Sequence, residues 1–305
     1  MKGRLQAGRL AAAIGAAPAR RGAVLLIVLI FGAAASSLAV TAMRSSSAGV
    51  RAATVYLDEV RAEELGRAAV DLIAARLASG EPGVRRAGAF AVPFADAVVE
   101  VSYIGETARI DLNAAPPELL AALFQAAGAS PTEARLYADR IIDWRDPDDA
   151  KRPSGAEAED YARAGLPPPG NRNFVHLAEL DQVLGLPAAM REAVVGAVTV
   201  ASGKAGVDPT IAGRLVVRAL SGGEERRADT FIGRRGAGFE RREDIVAAFP
   251  TSSRAFIDLD PGRAVRATIR VVVRGRFERR FEAVVGSEGG GIDVQVVSWQ
   301  SYPGP

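Results

Sequence analysis

The sequence predicts an α+β fold in which a long N-terminal helix and a small antiparallel sheet are combined with a large inserted all-helical domain. Three observations support this fold class. An uncharged apolar run near the N-terminus passes into an amphipathic pattern, strand-like segments occur on both sides of the middle of the chain, and the middle itself has helical periodicity. The 305 residues are enough to form a sizeable core.

The composition narrows the classes of function. The formal net charge is only +2, and the chain contains no cysteine and a single histidine, His176. A fold outside the cytoplasm must therefore rely on packing or a bound ion instead of disulfides. The absence of cysteine excludes thiol chemistry, and a single histidine makes a histidine-based zinc site difficult to form. We therefore predict that the protein is not an enzyme.

The N-terminal stretch RRGAVLLIVLIFGAAASSLAVTAMR has the properties of a membrane segment. Residues 23–43 carry no charge, five basic residues precede them, and no acidic residue occurs before Asp58. An uncharged helix of this length can cross a hydrocarbon core of about 30 Å, with its basic flank in the cytoplasm. This stretch alone is compatible with a cleaved signal peptide, a simple retained anchor, or a helix retained after removal of a short leader.

The segment that follows predicts that the membrane helix continues to about Ser79. Residues 51–78 contain no proline and one glycine, Gly66. Their apolar positions recur at helical spacing, as an amphipathic stripe requires. The stripe consists of Leu65, Ala69, Leu72 and Ile73. Neither a discarded signal nor a simple anchor needs so long a helix.

Strand-like sequence flanks the predicted helical domain. AVVEVSYI lies in the first sheet segment, residues 80–109, whereas AVRATIRVVVRG, RFERRFEAVV and IDVQVVSW lie in residues 256–305. We therefore expect the inserted helical domain to occupy residues 110–255. Within it, IDLNAAPPELLAALF begins a helix for which Asn113 is the predicted cap and Pro116, Pro117 and Glu118 suit the first turn.

Two predicted helices joined around AAGAS resemble a helix-hairpin-helix unit, and VDPTIAGRLVVRAL with GFERREDIVAAF is a weaker second copy. Such units often bind DNA phosphates through hairpin amides and nearby basic residues. Here the hairpin offers only Gly128, and residues 114–132 contain no basic residue. We expect a packing scaffold and no nucleic-acid binding. A membrane-tethered periplasmic DNA-binding protein of a DNA-uptake apparatus is the alternative.

An acidic loop is the other concentration of charge. Residues 143–160 contain seven acids and three bases, together with prolines and a glycine that keep the backbone irregular. The loop is either a solvated surface segment or a calcium site, because calcium takes six to eight oxygen ligands from carboxylates and carbonyls.

Several motifs resemble those of the type IV pilin-like superfamily. A basic leader ending in Arg21 and Gly22 precedes the apolar helix directly. The fifth residue after Gly22 is Ile27, where most pilin-like proteins have glutamate. The isoleucine at this position is typical of the K-type minor pseudopilin of type II secretion systems. The motifs DLN-x-AP-x-ELL and DWRDPDD resemble those of the same protein. A subunit that starts a fibre has no outer neighbour whose terminal amine could pair with that carboxylate.

The resemblance implies a pilin-like fold and a set of functional expectations. The prepilin peptidase would cut between Gly22 and Ala23, removing residues 1–22 and leaving residues 23–79 as membrane segment and stalk. The mature protein would be anchored once in the inner membrane, with its C-terminal part in the periplasm. It would initiate and cap the pseudopilus, with the I-type and J-type minor pseudopilins as partners. The resemblance also implies bound calcium, for which the matching residues are Asp143, Asp146, Asp148, Glu157, Asp160 and Asn173.

Overall fold

The computed structural model of the chain describes residues 18–79, 84–239, 241–287 and 294–303. The chain divides into two compact units, Met1–Asp58 and Glu59–Pro305. Residues 1–17 of the predicted leader lie outside the described residues.

The N-terminal helix α1 (Pro18–Ala78) is continuous over 61 residues, which confirms the predicted long apolar N-terminal helix. The apolar side chains from Val24 to Phe31 in its N-terminal part are each more than half exposed. Within the described part of the chain, this is the one helix long and apolar enough to cross a membrane. An apolar surface of this length is compatible with a single membrane anchor.

The second unit combines strands and helices. The strands are β1 (Ala87–Pro93), β2 (Ala97–Gly105), β3 (Ile110–Asp111), β4 (Val198–Thr199), β5 (Ala264–Val273), β6 (Phe277–Ser287) and β7 (Val294–Pro303). The helices are α2 (Pro117–Ala126), α3 (Pro131–Arg145), α4 (Ala158–Arg163), α5 (Ala188–Val194), α6 (Arg214–Leu220), α7 (Glu225–Arg235) and α8 (Arg242–Ala247). Short 3₁₀ helices cover Glu106–Ala108, Leu177–Gln182, Val195–Ala197 and Thr251–Phe256.

The main sheet is antiparallel, with strand order β1-β2-β5-β6-β7. All the helices from α2 to α8 lie in the chain between β2 and β5, which pair directly from Ala97↔Val273 to Gly105↔Val265. The mixed helix and antiparallel-sheet prediction is thereby confirmed. We refer to residues 106–263 as the helical block.

The C-terminal part of α1 packs against one face of this sheet. In β2, buried and exposed residues alternate, so that Val99 and Val101 face the core. The helix contributes a buried stripe at helical spacing: Ala62, Leu65, Ala69, Val70, Ile73 and Leu77. Leu72, which we expected in this stripe, is 41% exposed because it lies at the edge of the buried face.

Gly66 is a point of close approach between α1 and the sheet. A Cβ atom there would lie 2.9 Å from the ring of Phe281 and 3.1 Å from that of Trp299. These two rings stack with their centroids 4.8 Å apart. The missing side chain therefore lets the aromatic pair lie against the helix backbone.

Helix α2 is the centre of the helical block, because it packs against both α3 and α6. Leu119, Leu120 and Leu123 are completely buried, and Phe124 meets Tyr137 edge to face at 5.3 Å. Pro116 is the N-cap residue of α2, so the predicted cap, Asn113, has another role.

Asn113 fastens the beginning of the helical block to a distant segment. Its amide nitrogen donates to the Phe174 carbonyl at 2.9 Å, and its side-chain oxygen accepts from the Phe174 N–H at 2.7 Å. The side chain thus pairs with the backbone as a neighbouring strand would.

A buried carboxylate joins the sheet to the helical block. Glu106 has no exposed surface, and its carboxylate oxygens accept from Arg266 Nε at 2.9 Å and from Arg109 at 3.0 Å. The Thr199 hydroxyl on β4 also donates to it. Because these partners come from β4, β5 and the segment after β2, one charged group fixes three parts of the chain.

Two further buried acids strengthen the same junction. Asp111 accepts from the Ser202 hydroxyl at 2.9 Å and from the Gly203 N–H at 2.7 Å. Asp208 pairs with Arg86, which precedes β1, at 2.7 Å. Each of these acids has the partners that a buried charge needs.

We predict that Gly66→Leu lowers the free energy of unfolding by about 1–3 kcal/mol, because the added side chain overpacks the Phe281–Trp299 pair. Denaturant unfolding of the full chain in detergent, followed by tryptophan fluorescence, measures this. Gly233→Leu in α7 is the matched control, since nothing lies within 4 Å of a Cβ at that position. Equal effects at the two glycines would contradict the proposed close packing.

Candidate metal centre in the acidic loop

The acidic loop begins at the C-terminal end of α3. Asp143 in the last turn is fully buried, and its Oδ2 accepts from the Arg152 N–H at 3.2 Å. Its Oδ1 has no hydrogen-bond partner among the described residues. Burial, followed by repulsion from Asp146, raises the pKa of Asp143 to about 6.

Glu157, the residue before α4, is in a similar environment. It is 7% exposed, and neither carboxylate oxygen has a hydrogen-bond partner in the described part of the chain. Burial raises its pKa to about 7, and the charges of Asp143 and Asp146 add to that shift.

Asp146 and Asn171 supply two more unpartnered oxygens. The Oδ1 atoms of both are buried without a hydrogen bond from any described residue. Asn171 has a left-handed φ of 44°, and its N–H donates to the Trp144 carbonyl at 2.9 Å. The backbone of this segment is therefore fixed by Trp144, immediately after Asp143.

The other predicted ligands are placed differently. Asp160 pairs with Lys151 at 2.9 Å and with Arg163, and the hydrogen bond from Lys151 is the main cause of its lowered pKa. Asp148 is exposed, and its Oδ1 accepts from the Ala150 N–H at 2.8 Å. Asn173 is exposed as well. We predicted Asn173 from the sequence and did not consider Asn171, whose buried side-chain oxygen is apparent only from the fold.

The loop is held firmly around these groups. Asp139 of α3 pairs with Arg152 at 3.1 Å and accepts from the Ser154 N–H at 3.1 Å. Gly155 lies so close to Asp143 that a Cβ there would be 1.7 Å from Oδ2. The side chains with unpartnered oxygens are therefore attached to a backbone that is held in place by these contacts.

Desolvated carboxylates without donors are unfavourable unless they bind protons or a cation. In their present conformations, no three His, Cys, Asp or Glu side chains of the described residues converge closely enough to hold an ion by themselves. Oxygen is nevertheless the common donor of Asp143, Asp146, Glu157 and Asn171. A donor set of this type suits calcium better than zinc, provided that backbone oxygens or water complete the coordination.

The hairpins of the helical block provide no comparable site for phosphate. In the α2–α3 hairpin, the N–H groups of Gly128 and Ala129 donate to carbonyls of α2. In the α6–α7 hairpin, Gly222 and Gly223 have left-handed φ angles, and their N–H groups likewise donate to the preceding helix. Because these amides are already engaged, DNA binding is not the favoured function.

Two comparisons with known proteins found similarity to this chain. Residues 101–203, which include the C-terminal part of β2 and the acidic loop, match the family model described as type II secretion system (T2SS), protein K. No curated protein sequence matches the chain significantly. A chain in the crystal structure of the GspK-GspI-GspJ complex from the enterotoxigenic Escherichia coli type 2 secretion system is similar in fold, with a TM-score of 0.58 and 16% identity. The match covers 85% of this chain and 99% of that chain.

We predict that Gly155→Ala displaces the acidic loop from Asp143 and lowers the free energy of unfolding by about 1–3 kcal/mol. Gly196→Ala introduces the same methyl group where nothing lies within 4 Å, and we expect little effect from it. Thermal melting of both variants of the full chain, monitored by circular dichroism, makes the comparison. Indistinguishable melting temperatures would show that the loop accommodates a side chain at Gly155.

Proposed function

We propose that this chain, whose residues 101–203 match the family model of protein K of type II secretion systems, is a subunit of that family. In this role it would initiate and cap the pseudopilus during export of folded proteins across the outer membrane. The observation that carries this proposal is the combination of a continuous apolar helix with a helical block between two paired strands of one sheet. A fibre subunit needs the helix for assembly, and the block provides bulk suited to an end position.

The N-terminal part of α1 supports the end position. Ile27, an exposed residue of the first unit, replaces the glutamate that is usual in pilin-like proteins. A carboxylate in the membrane requires a partner such as the terminal amine of the next subunit. A subunit with isoleucine at this position needs no partner for a buried charge, so it can be the first subunit of the fibre.

We propose that the I-type and J-type minor pseudopilins are the partners. The similar solved structure is that of a complex of GspK with GspI and GspJ. Exposed side chains on α1, such as Val55, Tyr56 and Leu57, provide apolar surface on which partner helices can pack. The chain would be anchored in the inner membrane and its second unit would lie in the periplasm.

A photo-cross-linking amino acid at Tyr56 tests this position in secreting cells. We expect adducts with the I-type and J-type proteins, because a tip subunit meets other subunits along its helix. The same probe at exposed Thr132 in the helical block controls for nonspecific capture. A ladder of adducts with further copies of this chain would place it in the shaft and contradict the tip assignment.

We also propose that the prepilin peptidase removes the leader between Gly22 and Ala23. We expect N-terminal sequencing of the membrane-bound protein to begin at Ala23. Gly22→Leu should leave the precursor uncut and stop secretion, since a bulky residue precedes the scissile bond. Gly32→Leu, in the same helix with open space around it, is the control. A mature start near Ser36 or Met43 would identify a cleaved signal peptide instead.

We propose calcium as the cation of the acidic loop. Asp143, Asp146, Glu157 and Asn171 are the best-supported ligands, because their oxygens are desolvated and unpartnered in the described structure. Asp148, Asp160 and Asn173, which the family resemblance also implied, are exposed or paired with bases. Bound calcium would neutralise the crowded carboxylates and stabilise the loop.

Chelator should therefore lower the melting temperature of the full chain, and added calcium should restore it. A ligand specific for the folded state stabilises it by about 2.7 kcal/mol at a hundredfold excess over Kd. Glu157→Gln removes one charged ligand and should reduce or abolish the calcium-dependent shift. Asp181→Asn, at a side chain that is 67% exposed, should retain it. Melting curves that do not respond to calcium, together with no binding heat in calorimetry, would identify a solvated loop.

A further inference from the structure

We propose that a cleft beside the junction of the helical block and the sheet binds an uncharged oligosaccharide. The cleft has a volume of about 720 Å³ and is lined on one side by the 3₁₀ helix Leu177–Gln182 and by α5, and on the other by β5, β6 and β7. Its volume lies within the range of about 300–1,000 Å³ that is usual for ligand sites. The inference goes beyond the proposed secretion role, which requires no small ligand. We refer to this site as the junction cleft.

Three arginine side chains line the junction cleft and are held in place by the protein. Arg266 and Arg109 donate to the carboxylate of buried Glu106 at 2.9 Å and 3.0 Å. Arg191 donates to a backbone carbonyl at 2.6 Å. The three side chains are between 19% and 24% exposed, so each keeps some surface in the cleft. Because they are fixed before a ligand arrives, binding costs little of their conformational entropy.

Both donors and acceptors in the junction cleft have unused hydrogen-bonding capacity. Nη2 of Arg109 and Nε2 of Gln300 form no hydrogen bond with a described residue. Glu192 has neither a hydrogen bond nor an ion pair within the described part of the chain. Glu282 lies opposite Gln300 across β6 and β7, and it pairs with Arg266 through Oε1. A ligand that suits this site therefore both accepts and donates hydrogen bonds.

The charges around the junction cleft balance one another. The charged residues that line it are Arg109, Arg191, Arg266, Asp181, Glu192 and Glu282. The three carboxylates would repel an anion such as a phosphate, and the three guanidinium groups would repel a cation. A hydroxyl group is at once a donor and an acceptor. An oligosaccharide has many hydroxyl groups and no charge, so it can satisfy both sets of side chains without repulsion.

The junction cleft also offers apolar surface of the kind that a sugar ring needs. Tyr302 is 45% exposed, and its hydroxyl donates to Oε1 of Gln300 at 2.5 Å. Val195 in the other wall is 46% exposed. The C–H groups of a sugar ring can pack on the face of the tyrosine ring. A peptide would be expected to pair with the backbone of a strand edge, whereas side chains from the face of the sheet line this cleft.

Calorimetric titration of the full-length protein with an N-acetylglucosamine trimer, and in parallel with cellotriose, tests the proposal. The detergent must have no sugar headgroup, since such a headgroup would compete for the site. We expect saturable binding of at least one trisaccharide. Glu192→Ala should weaken it by about tenfold, as expected when a hydrogen bond to a charged group is lost. Tyr302→Ala should also weaken it, whereas Tyr302→Phe retains the ring and most of the binding.

Glu243→Ala is the matched control, because it removes an exposed acid from α8, outside the junction cleft. Melting curves of all the variants establish that they remain folded. The proposal is overturned if neither trisaccharide binds, or if Glu192→Ala and Tyr302→Ala both bind as tightly as the wild type. Tighter binding of an alanine tetrapeptide than of either sugar would identify a peptide site and would overturn it as well.

A further measurement distinguishes two sources of the glycan. Co-sedimentation of the protein with purified cell-wall sacculi, abolished by the trimer and by Glu192→Ala, would identify the glycan strands of the cell wall. Binding of the trimer without co-sedimentation would identify a soluble glycan or one carried by another protein. None of these measurements involves secretion, so a failure of the glycan proposal would leave the secretion assignment unaffected.

Discussion

The buried carboxylate of Glu106 is the interaction on which the arrangement of the second unit depends. A charge without solvent contact is tolerated only when donors surround it, and Arg109, Arg266 and Thr199 meet that requirement. Removing any one donor would leave a desolvated charge. The hydrogen bonds and ion pairs of Glu106 therefore hold the sheet and the helical block in one arrangement, in addition to packing. Asp111 and Asp208 make similar buried contacts nearby.

The buried acids Glu106 and Glu157 differ in whether protein groups donate hydrogen bonds to them. Glu106 is fully satisfied by protein donors, so it is structural. Glu157 is buried to a similar degree but lacks donors among the described residues, and its pKa is raised to about 7. Among the described residues, most of the buried carboxylate oxygens without donors thus lie in the acidic loop. The contrast also explains why the number of acids in a segment is a poor guide, since Asp160 belongs to the same run and is neutralised by bases.

The sequence was informative where one local physical signal dominated. Helical periodicity identified α1, and alternation identified β2 and the C-terminal strands. Strand β1 was not recognised individually because AGAFAVP combines small residues with glycine and proline, and its strand form depends on pairing with β2. Asn113 has the residue type of a cap but bonds to Phe174, 61 positions away. Asn171 could not be distinguished from Asn173, because only the fold buries the side-chain oxygen of one of them.

The insertion of the helical block between β2 and β5 has a consequence for the order in which the chain can fold. The pairing from Ala97↔Val273 to Gly105↔Val265 joins residues at least 160 positions apart, so it must await synthesis of nearly the whole chain. Contacts within the block are more local and close smaller loops, which favours their earlier formation. Until β5 arrives, one edge of β2 is open to incorrect strand pairing. Slow completion of the sheet, after α1 and the helical block have formed, is therefore a consequence of the order of the elements along the chain.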